Sequence, residues 1–305
     1  MTALSRIRPA GPATIVLLAV AMTGCRSAAA AGNAGPHTGI PAATTISAMS
    51  GASNTAEAGG MSGMGPMAGG DGLSAAANGY QMTSALTTLP AGVPAAYTFA
   101  ITAPGGARLT RYATDHTKKL HFYAIRADLT GFQHIHPVMN PSGTWTARLA
   151  GLTPGRWRLY ATFIPAAGPS AGTEFVLSRA ITVPGRYAAA PLPAPATAVT
   201  VDGYTVTIAG DVMPGMMMPL QAIITRHGHP VTTLQPYLGA YAHLTAFHAG
   251  DLAFAHLHPE GATHGNNGGP ALTFSASLPE AGPWRLFLQF QASGRVHTAA
   301  FTLNA

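Results

Sequence analysis

Histidines recur in this sequence in a pattern that favours metal binding. Two segments carry the motif H-x12-H-x-H-P, and each member of the second copy lies 122 residues after its counterpart, since 243 − 121, 256 − 134 and 258 − 136 all equal 122. Neutral imidazole nitrogens are good ligands for Cu(II), Zn(II) and Ni(II). The repeat therefore predicts a duplicated domain with a duplicated metal site. Its candidate ligands are His121, His134 and His136 in the first copy and His243, His256 and His258 in the second.

The repeat extends beyond the histidines. Phe132 matches Phe254 at the same offset, and after a short insertion a Gly-x-Trp-Arg-Leu-aromatic segment appears in both copies. Repetition of one pattern of core residues is typical of tandem domains. We expect the two repeated tryptophans, Trp157 and Trp284, to lie in the two cores.

The folded part of the chain has the pattern of an all-β protein. Short runs rich in β-branched and aromatic residues alternate with Gly, Pro, Asn and Asp, and no segment shows a capped helical stripe. About seven short strands in roughly 100 residues per copy favour tandem duplicated immunoglobulin-like or cupredoxin-like β-sandwiches. We expect strands at residues 97–102, 121–126, 132–136, 156–163, 204–208, 220–225, 285–290 and 296–303.

The turn inside the second motif predicts a register that brings its histidines together. Gly250-Asp251 lies midway between two strand-like segments and favours a two-residue hairpin turn. The residue numbers of opposed positions then sum to 501, so His243 faces His258 and Thr245 faces His256. Opposed residues, like positions i and i+2 of one strand, share a face of the hairpin, so the three histidines converge.

The same register in the first copy pairs His121 with His136 and Tyr123 with His134, and it puts the three histidines of that copy on one face. Its turn residues, Asp128 and Leu129, make a poorer two-residue loop, and a slip of one residue would scatter the cluster. The second copy also has further donors nearby, such as Glu260. We therefore expect the second copy to be the better metal binder.

Methionines favour copper as the metal. Thioethers are soft ligands that suit Cu(I), and zinc is the alternative for the histidines alone. Three more methionines lie within residues 61–67 of a Gly-rich segment, where they either bind copper or are incidental to a low-complexity linker. The methionines expected to join the second site are Met213, Met216, Met217 and Met218.

An alternative interpretation makes the histidines part of the domain cores. The same hairpin faces carry Ile125 and Phe132 in the first copy and Phe247 and Phe254 in the second. The rings would then make hydrogen bonds inside each sandwich. Against this, three buried imidazoles on one small sheet face need a partner for several nitrogens each. Both interpretations stay open at this point.

The N-terminus has the features of an export signal. Arg6 and Arg8 precede a short apolar run, and Met-Thr-Gly-Cys follows, ending at Cys25. This segment resembles a bacterial lipobox, which implies a lipid on Cys25 and an extracytoplasmic protein anchored to the cell membrane. A plain secretory signal that is cut further along is the alternative. Since Cys25 is the only cysteine, the folded part has no disulfide and no thiolate ligand.

Composition suggests the domain organisation. Residues 25–86 have too few large apolar side chains to offset the entropy of folding, so we expect a disordered tether there. A stiff Pro/Ala linker is expected to hold the two domains apart or at a fixed angle. The expected parts are a lipoprotein signal peptide at 1–24, the tether at 25–86, a first sandwich at 87–184, the linker at 185–198 and a second sandwich at 199–305.

Charge and motifs argue against several functional classes. The net charge of +6 comes mostly from dispersed arginines, and the only lysines are Lys118 and Lys119, so we expect no nucleic-acid binding. No apolar run after the N-terminus approaches the ~20 residues of a membrane helix. The chain also lacks a nucleophile elbow, a phosphate loop and a zinc-protease helix, and we expect no enzymatic activity.

The second copy resembles a known group of proteins. Met-Pro-Gly-Met from Met213, the stretch at 237–243, His-Leu-His-Pro-Glu from His256 and Arg-Leu-Phe-Leu-Gln-Phe from Arg285 look like bacterial exported proteins and lipoproteins of the heavy-metal-binding or copper-associated type. The resemblance implies extracytoplasmic copper handling on an immunoglobulin-like or cupredoxin-like sandwich. It reaches the first copy only through the internal repeat, because that copy lacks Met-Pro-Gly-Met and the Glu after His-Pro.

These patterns together predict a non-enzymatic, membrane-tethered protein that sequesters copper or passes it to a copper-handling partner protein. The alternative, from another class, is a tandem sandwich that acts as a structural or protein-interaction module at the cell envelope. Substitution of His256 and His258 separates the two. Metal binding is lost and the fold survives in the first case, whereas the protein unfolds or does not change in the second.

Overall fold

The structure is a computed structural model that describes residues 69–305. The predictions for the signal peptide, for Cys25 and for the methionines at 61–67 lie outside the described residues. All regular secondary structure in the described part consists of β-strands, as predicted. The described residues contain no helix that is long and apolar enough to cross a membrane.

The strands of the first domain form two antiparallel sheets. One sheet has the order β1-β2-β3-β7-β6, and the other has the order β5-β4-β8-β9. Two such layers around a common core make an immunoglobulin-like β-sandwich. The strands are β1 (Ala76–Ala77), β2 (Tyr80–Thr83), β3 (Ala95–Thr102), β4 (His121–Arg126), β5 (Gln133–Ile135), β6 (Val138–Met139), β7 (Thr144–Leu149), β8 (Gly155–Phe163) and β9 (Phe175–Val183).

The strands of the second domain form one continuous antiparallel sheet that folds into the two layers. Its order is β10-β11-β12-β16-β15-β14-β17-β18, with β13 beside β12. The strands are β10 (Ala198–Val201), β11 (Tyr204–Ala209), β12 (Met217–Arg226), β13 (His229–Pro230), β14 (Ala242–His248), β15 (Phe254–Pro259), β16 (Ala271–Ser277), β17 (Pro283–Ala292) and β18 (Arg295–Asn304). Strand β15 joins the layers because its start pairs with β14 and its end with β16.

Each sandwich buries its own aromatic and aliphatic core. Trp157 lies in the first core and Trp284 in the second, which confirms the prediction for both tryptophans. The central strands β4 and β14 are buried on both faces. Such strands are nearly continuous apolar runs, because both of their surfaces pack against other layers.

The first strands begin inside the segment that the sequence assigned to the tether, so that prediction was wrong for its last part. Strands β1 and β2 lie before residue 87, and Tyr80 and Met82 are almost fully buried. The ring of Tyr80 contacts Phe163 and Phe175. Averaged composition hid this strand, because two large side chains at alternate positions are enough to anchor β2 on a core.

The two sandwiches pack against each other and are not held apart by the linker. A third buried cluster, the interdomain core, is formed by side chains from both domains. The Tyr160 hydroxyl donates a hydrogen bond to the carbonyl of Leu252 at 2.6 Å, and Phe132 stacks on Phe287 with ring centroids 4.2 Å apart. The interdomain core comprises Tyr123, Ile125, Leu129, Tyr160, Val176, Phe247, Leu252, Phe254 and Phe287.

Truncation of this core is expected to destabilise the whole described part. Phe254 is fully buried, and its ring contacts Tyr123, Tyr160 and Phe247. We expect Phe254→Ala to lower the free energy of unfolding by about 3–5 kcal/mol, because it removes buried surface and leaves a cavity. Urea denaturation of the metal-free protein measures this change. Val93→Ala, at an exposed position, is the control and should change stability by less than about 0.5 kcal/mol.

Candidate metal centre

The repeated histidines lie on two hairpins, β4–β5 and β14–β15, in the predicted registers. Thr245 pairs with His256, and Tyr123 pairs with His134. Both predicted registers are therefore confirmed at these pairs, including the one in the first copy, whose turn is the poorer match to a two-residue loop. The predicted pairs His243–His258 and His121–His136 are not part of these ladders, and His258 pairs with Ser275 instead.

The turn of the second hairpin is longer than predicted. The amide of His248 donates to the carbonyl of Ala253, which closes a four-residue loop, and Leu252 in that loop has a φ of 69°. The prediction of a two-residue turn was therefore wrong. The register survives because the loop is still centred on Gly250 and Asp251.

The histidine face of each hairpin points toward the other domain. On β4, Phe122 and Ala124 pack into the first core, whereas Tyr123 and Ile125 pack into the interdomain core. His121 shares the face of Tyr123 and Ile125, because side chains alternate along a strand. The structure thus does not place the histidines inside the sandwich cores. The rings lie between the two sandwiches.

The three histidines of the first copy converge on one point, and we call them the first histidine site. Nδ1 of His121 lies 3.1 Å from Nε2 of His134 and 3.2 Å from Nε2 of His136. Three nitrogens at about 2.0–2.1 Å from a tetrahedral metal ion are roughly 3.3 Å apart. Two of the three nitrogen–nitrogen distances therefore match a metal coordination sphere, and all three ligand atoms lie within 4.8 Å of one another.

Two carbonyl groups determine where the protons of this site lie. Nε2 of His121 donates to the backbone carbonyl of Asp115 at 3.1 Å, and Nδ1 of His134 donates to Oε1 of Gln289 at 2.7 Å. The Gln289 amide nitrogen donates to Thr298, which orients its oxygen toward His134. In the neutral rings, Nδ1 of His121 and Nε2 of His134 therefore carry lone pairs that face each other. Carbonyl partners of this kind are usual for metal-ligating histidines.

The second domain repeats the first of these contacts. Nε2 of His243 donates to the carbonyl of Tyr237 at 2.8 Å, and Tyr237 precedes His243 by six residues, as Asp115 precedes His121. Nδ1 of His243 is therefore the nitrogen with the free lone pair. Its ring centroid lies 4.8 Å from that of His116, which belongs to the first domain.

A second group of possible ligands combines both domains, and we call it the interdomain histidine site. It consists of His116, His243 and His256, whose ligand atoms lie within 4.8 Å of one another. Nδ1 of His256 lies 3.2 Å from a carboxylate oxygen of Glu174, also from the first domain. His258 joins Glu174 and His256 in a third group, with its Nε2 at 3.8 Å from Glu174.

The structure divides the predicted ligands His243, His256 and His258 between these two groups, which share His256. His258 lies where β15 has left β14 and pairs with Ser275 of β16. This crossing carries the side chain away from His243, and 56% of it is exposed. Contrary to the expectation that favoured the second copy, the short nitrogen–nitrogen distances lie in the first.

Two residues of the centre were missed by the sequence analysis. His116 has no counterpart in the repeat, because Leu238 stands at the offset position, although both residues have a positive φ, of 41° and 54°. The Asp115-His116 pair directly before the hairpin was the available signal. Glu174 lies 82 residues from His256, and no pattern in the sequence predicts their contact.

Residues 199–305 match the family model described as a domain of unknown function (DUF8832). No curated protein matches the sequence.

Similar solved structures share little sequence with this chain. The Escherichia coli adhesin FdeC has 16% identity and a TM-score of 0.25 over 74% of this chain and 64% of the adhesin chain. Salmonella alpha-2-macroglobulin reacted with methylamine has 10% identity and a TM-score of 0.25 over 73% of this chain and 14% of the macroglobulin chain. The Ig1-2 module of the Drosophila receptor protein tyrosine phosphatase DLAR has 9% identity and a TM-score of 0.19 over 74% of this chain and 97% of the module's chain. This chain thus spans less than two thirds of the adhesin chain.

Burial keeps most rings of the centre neutral at pH 7. It lowers the pKa of His121 and of His136 to about 4 and that of His243 to about 3, and neighbouring histidines act in the same direction. The pKa of His134 is also far below its usual value for these reasons. Because neutral imidazole is the form that binds metal, these rings need not lose a proton first.

His256 has the opposite protonation. Burial disfavours its charged form, but the hydrogen bond to Glu174 and the charge of that carboxylate outweigh burial and raise the pKa of His256. Burial likewise opposes ionisation of Glu174, yet its contacts with His256 lower the pKa of the carboxyl group. In the metal-free protein the two side chains form an ion pair.

The methionines of the second domain lie at or near the surface. Met213, Met216 and Met217 are about half exposed, and Met218 is half-buried. Strand β16 lies between β12 and β15, so the backbone of β12 is roughly 10 Å from that of His258. A role of these thioethers as ligands therefore stays a prediction.

The first histidine site is open to solvent on one side. His136 lines two surface clefts, of about 340 and 280 Å³. Arg148 borders the first cleft and Lys118 the second. A metal ion or a further small ligand can thus reach the site at His136, whereas His121 is almost fully buried.

Proposed function

We propose that this protein binds copper outside the cytoplasm, anchored to the membrane through Cys25, and sequesters the ion or passes it to a copper-handling partner protein. The observation that supports metal binding is the pair of bare nitrogens on His121 and His134, which face each other at 3.1 Å. No enzymatic role is part of the proposal.

A proton count of the first histidine site supports a metal ion over a hydrogen-bond network. The protons of His121 and His134 are used by carbonyl groups on the outer side of the rings. Nε2 of His136 can donate to Nδ1 of His121 at 3.2 Å. This leaves Nε2 of His134 with a lone pair that faces another lone pair. Buried polar atoms are normally satisfied, and one metal ion would satisfy all three nitrogens at once.

The choice of copper rests on the donor set. Three imidazoles suit Cu(II) and Zn(II), and at such a site Cu(II) binds more tightly than Zn(II) by the general order of divalent-metal affinities. The exposed thioethers of Met213, Met216 and Met217 suit Cu(I). Zinc has little affinity for thioethers. The resemblance of the second domain to copper-associated exported proteins favours the same metal.

Calorimetric titration of the full chain, stripped of metal, tests the proposal with Cu(II), Cu(I) and Zn(II). We expect tight binding of Cu(II), with Zn(II) weaker. The matched control is His229→Ala, which changes an exposed histidine outside the centre and should leave binding unchanged. Absence of binding would overturn the proposal and favour a structural or protein-interaction module at the cell envelope. Tighter binding of zinc than of copper would overturn the choice of metal.

The contact from Gln289 provides a milder test. Gln289→Leu removes the acceptor that holds the proton of His134 on Nδ1, and we expect the metal affinity to fall by about 10–100-fold. Gln289→Glu keeps an acceptor at this position and should retain most of the affinity. Equal affinities of Gln289→Leu and the unchanged protein would show that this contact does not orient a metal ligand.

A further inference from the structure

The interdomain histidine site borders the first histidine site. The ring centroids of His116 and His121 are 6.3 Å apart, and those of His134 and His243 are 6.5 Å apart. Within the first site the centroids are separated by 4.8 to 5.3 Å. Rings on one tetrahedral ion have centroids roughly 5 Å apart, given metal–nitrogen distances of about 2.0–2.1 Å. The larger separations therefore divide the cluster into two neighbouring sets of ligands.

The second set has the orientation that a metal ion requires, and binding releases the proton that His256 carries in its ion pair with Glu174. His243 is held by the Tyr237 carbonyl with Nδ1 free. Nδ1 of His256 is engaged by Glu174, which leaves Nε2 for a ligand. A carboxylate on the outer nitrogen of a histidine is a common arrangement around metal ions. Both rings are buried, and His116 lies against them with centroids at 4.8 and 5.9 Å.

The ligands of this second set come from different domains. His116 and the positioning carboxylate of Glu174 belong to the first sandwich, and His243 and His256 belong to the second. The first site depends on both domains as well, because Gln289 of the second sandwich holds His134. Neither domain alone can therefore assemble the complete cluster.

We propose that a second metal ion of the same class binds to His116, His243 and His256, so that the protein holds two neighbouring ions in one centre that joins its domains. Glu174 is a positioning residue that orients His256. This inference rests on the proposed function, since it needs the first histidine site to bind an ion. It adds to that function the number of bound ions, the ligands of the second ion and a metal centre that links the two domains.

Binding stoichiometry of the metal-free full chain tests the inference with Cu(II), by calorimetry and by metal analysis after dialysis. We expect two ions per chain for the unchanged protein and for the control His229→Ala, and one ion for His116→Ala. His116 lies on a loop before β4 and is only half-buried, so its replacement should leave the urea midpoint unchanged. Electron paramagnetic resonance gives an independent readout, because two neighbouring Cu(II) ions broaden each other's spectrum. His116→Ala should restore the spectrum of an isolated ion.

The failures of the two proposals are distinguishable. One ion per chain, lost in His134→Ala but retained in His116→Ala, would overturn the second site and leave the proposed function standing. No bound copper at all would overturn both.

A second variant tests the positioning role. Glu174→Gln should keep both ions but weaken the second by about 10–100-fold, without changing the affinity of the first. Glu174→Asp, which keeps the carboxylate, should recover part of the loss. Equal weakening of both ions, or of neither, would overturn the role of Glu174.

Discussion

Alanine in place of His134 is expected to lower the affinity of the first histidine site for Cu(II) by at least about a thousandfold, which corresponds to ~4 kcal/mol. The Nε2 atom of His134 is one of two nitrogens that lie within 3.2 Å of Nδ1 of His121, and the three together form the site. With two nitrogens left, the ion must recruit water in place of a fixed ligand. Calorimetry or competition with a chelator of known affinity measures the change.

The control for this prediction separates ligand loss from damage to the fold. The ring of His134 stacks on Tyr123 at 4.3 Å, so its removal also leaves a gap beside the interdomain core. His134→Gln fills more of that gap but has no imidazole, and it should lose copper affinity while its urea midpoint stays closer to that of the unchanged protein. Retention of full affinity by either variant would contradict the site.

Acid is expected to destabilise the metal-free protein sharply between pH 6.5 and pH 4. Unfolded histidine takes up a proton near pH 6.5, whereas burial lowers the folded pKa of His121 to about 4 and of His243 to about 3. The unfolded chain therefore binds more protons in this window, and stability falls as the pH falls. Two such groups, each at most 2% exposed, account for roughly 6 kcal/mol by pH 4.

This loss is comparable with the stability of a typical protein, about 5–15 kcal/mol, so we expect acid unfolding or separation of the domains. His256 does not offset it, because a contribution from a raised pKa is fully present below pH 6.5. Urea denaturation at several pH values measures the slope, and the double variant His121→Gln, His243→Gln should flatten it. Constant stability of the unchanged protein down to pH 4.5 would contradict the prediction.

The expected class of the fold and the hairpin registers were predictable from local patterns. Alternating apolar residues and turn residues predicted strands such as β8 and β17, because side-chain alternation depends only on the backbone of each strand. The position of the turn centre predicted the register that pairs Thr245 with His256. This register is present although the loop is longer than the predicted two residues. Residues within one hairpin are close in sequence, so few alternatives compete.

The limits of prediction lie where the chain makes distant contacts. The start of the first domain was missed because Tyr80 gains its partners from β8 and β9, which are far along the chain. The grouping of ligands in the second copy was not predicted, because β15 crosses between layers and His258 pairs with β16. No local sequence pattern predicts that β15 crosses between the layers or which faces of the two domains meet.

The sequence by itself determined which side chains were available and which of them share a hairpin face. The repeat at 122 residues predicted that His121, His134 and His136 converge, and their nitrogens do so. Only the tertiary structure decided that the two faces meet, that Glu174 reaches His256 and that Gln289 holds His134. The physical reason is that strands β4 and β14 are buried on both faces. Local alternation of side chains determines which residues lie on each face of these strands. What covers the face that points away from the strand's own sandwich depends on how the two complete domains pack.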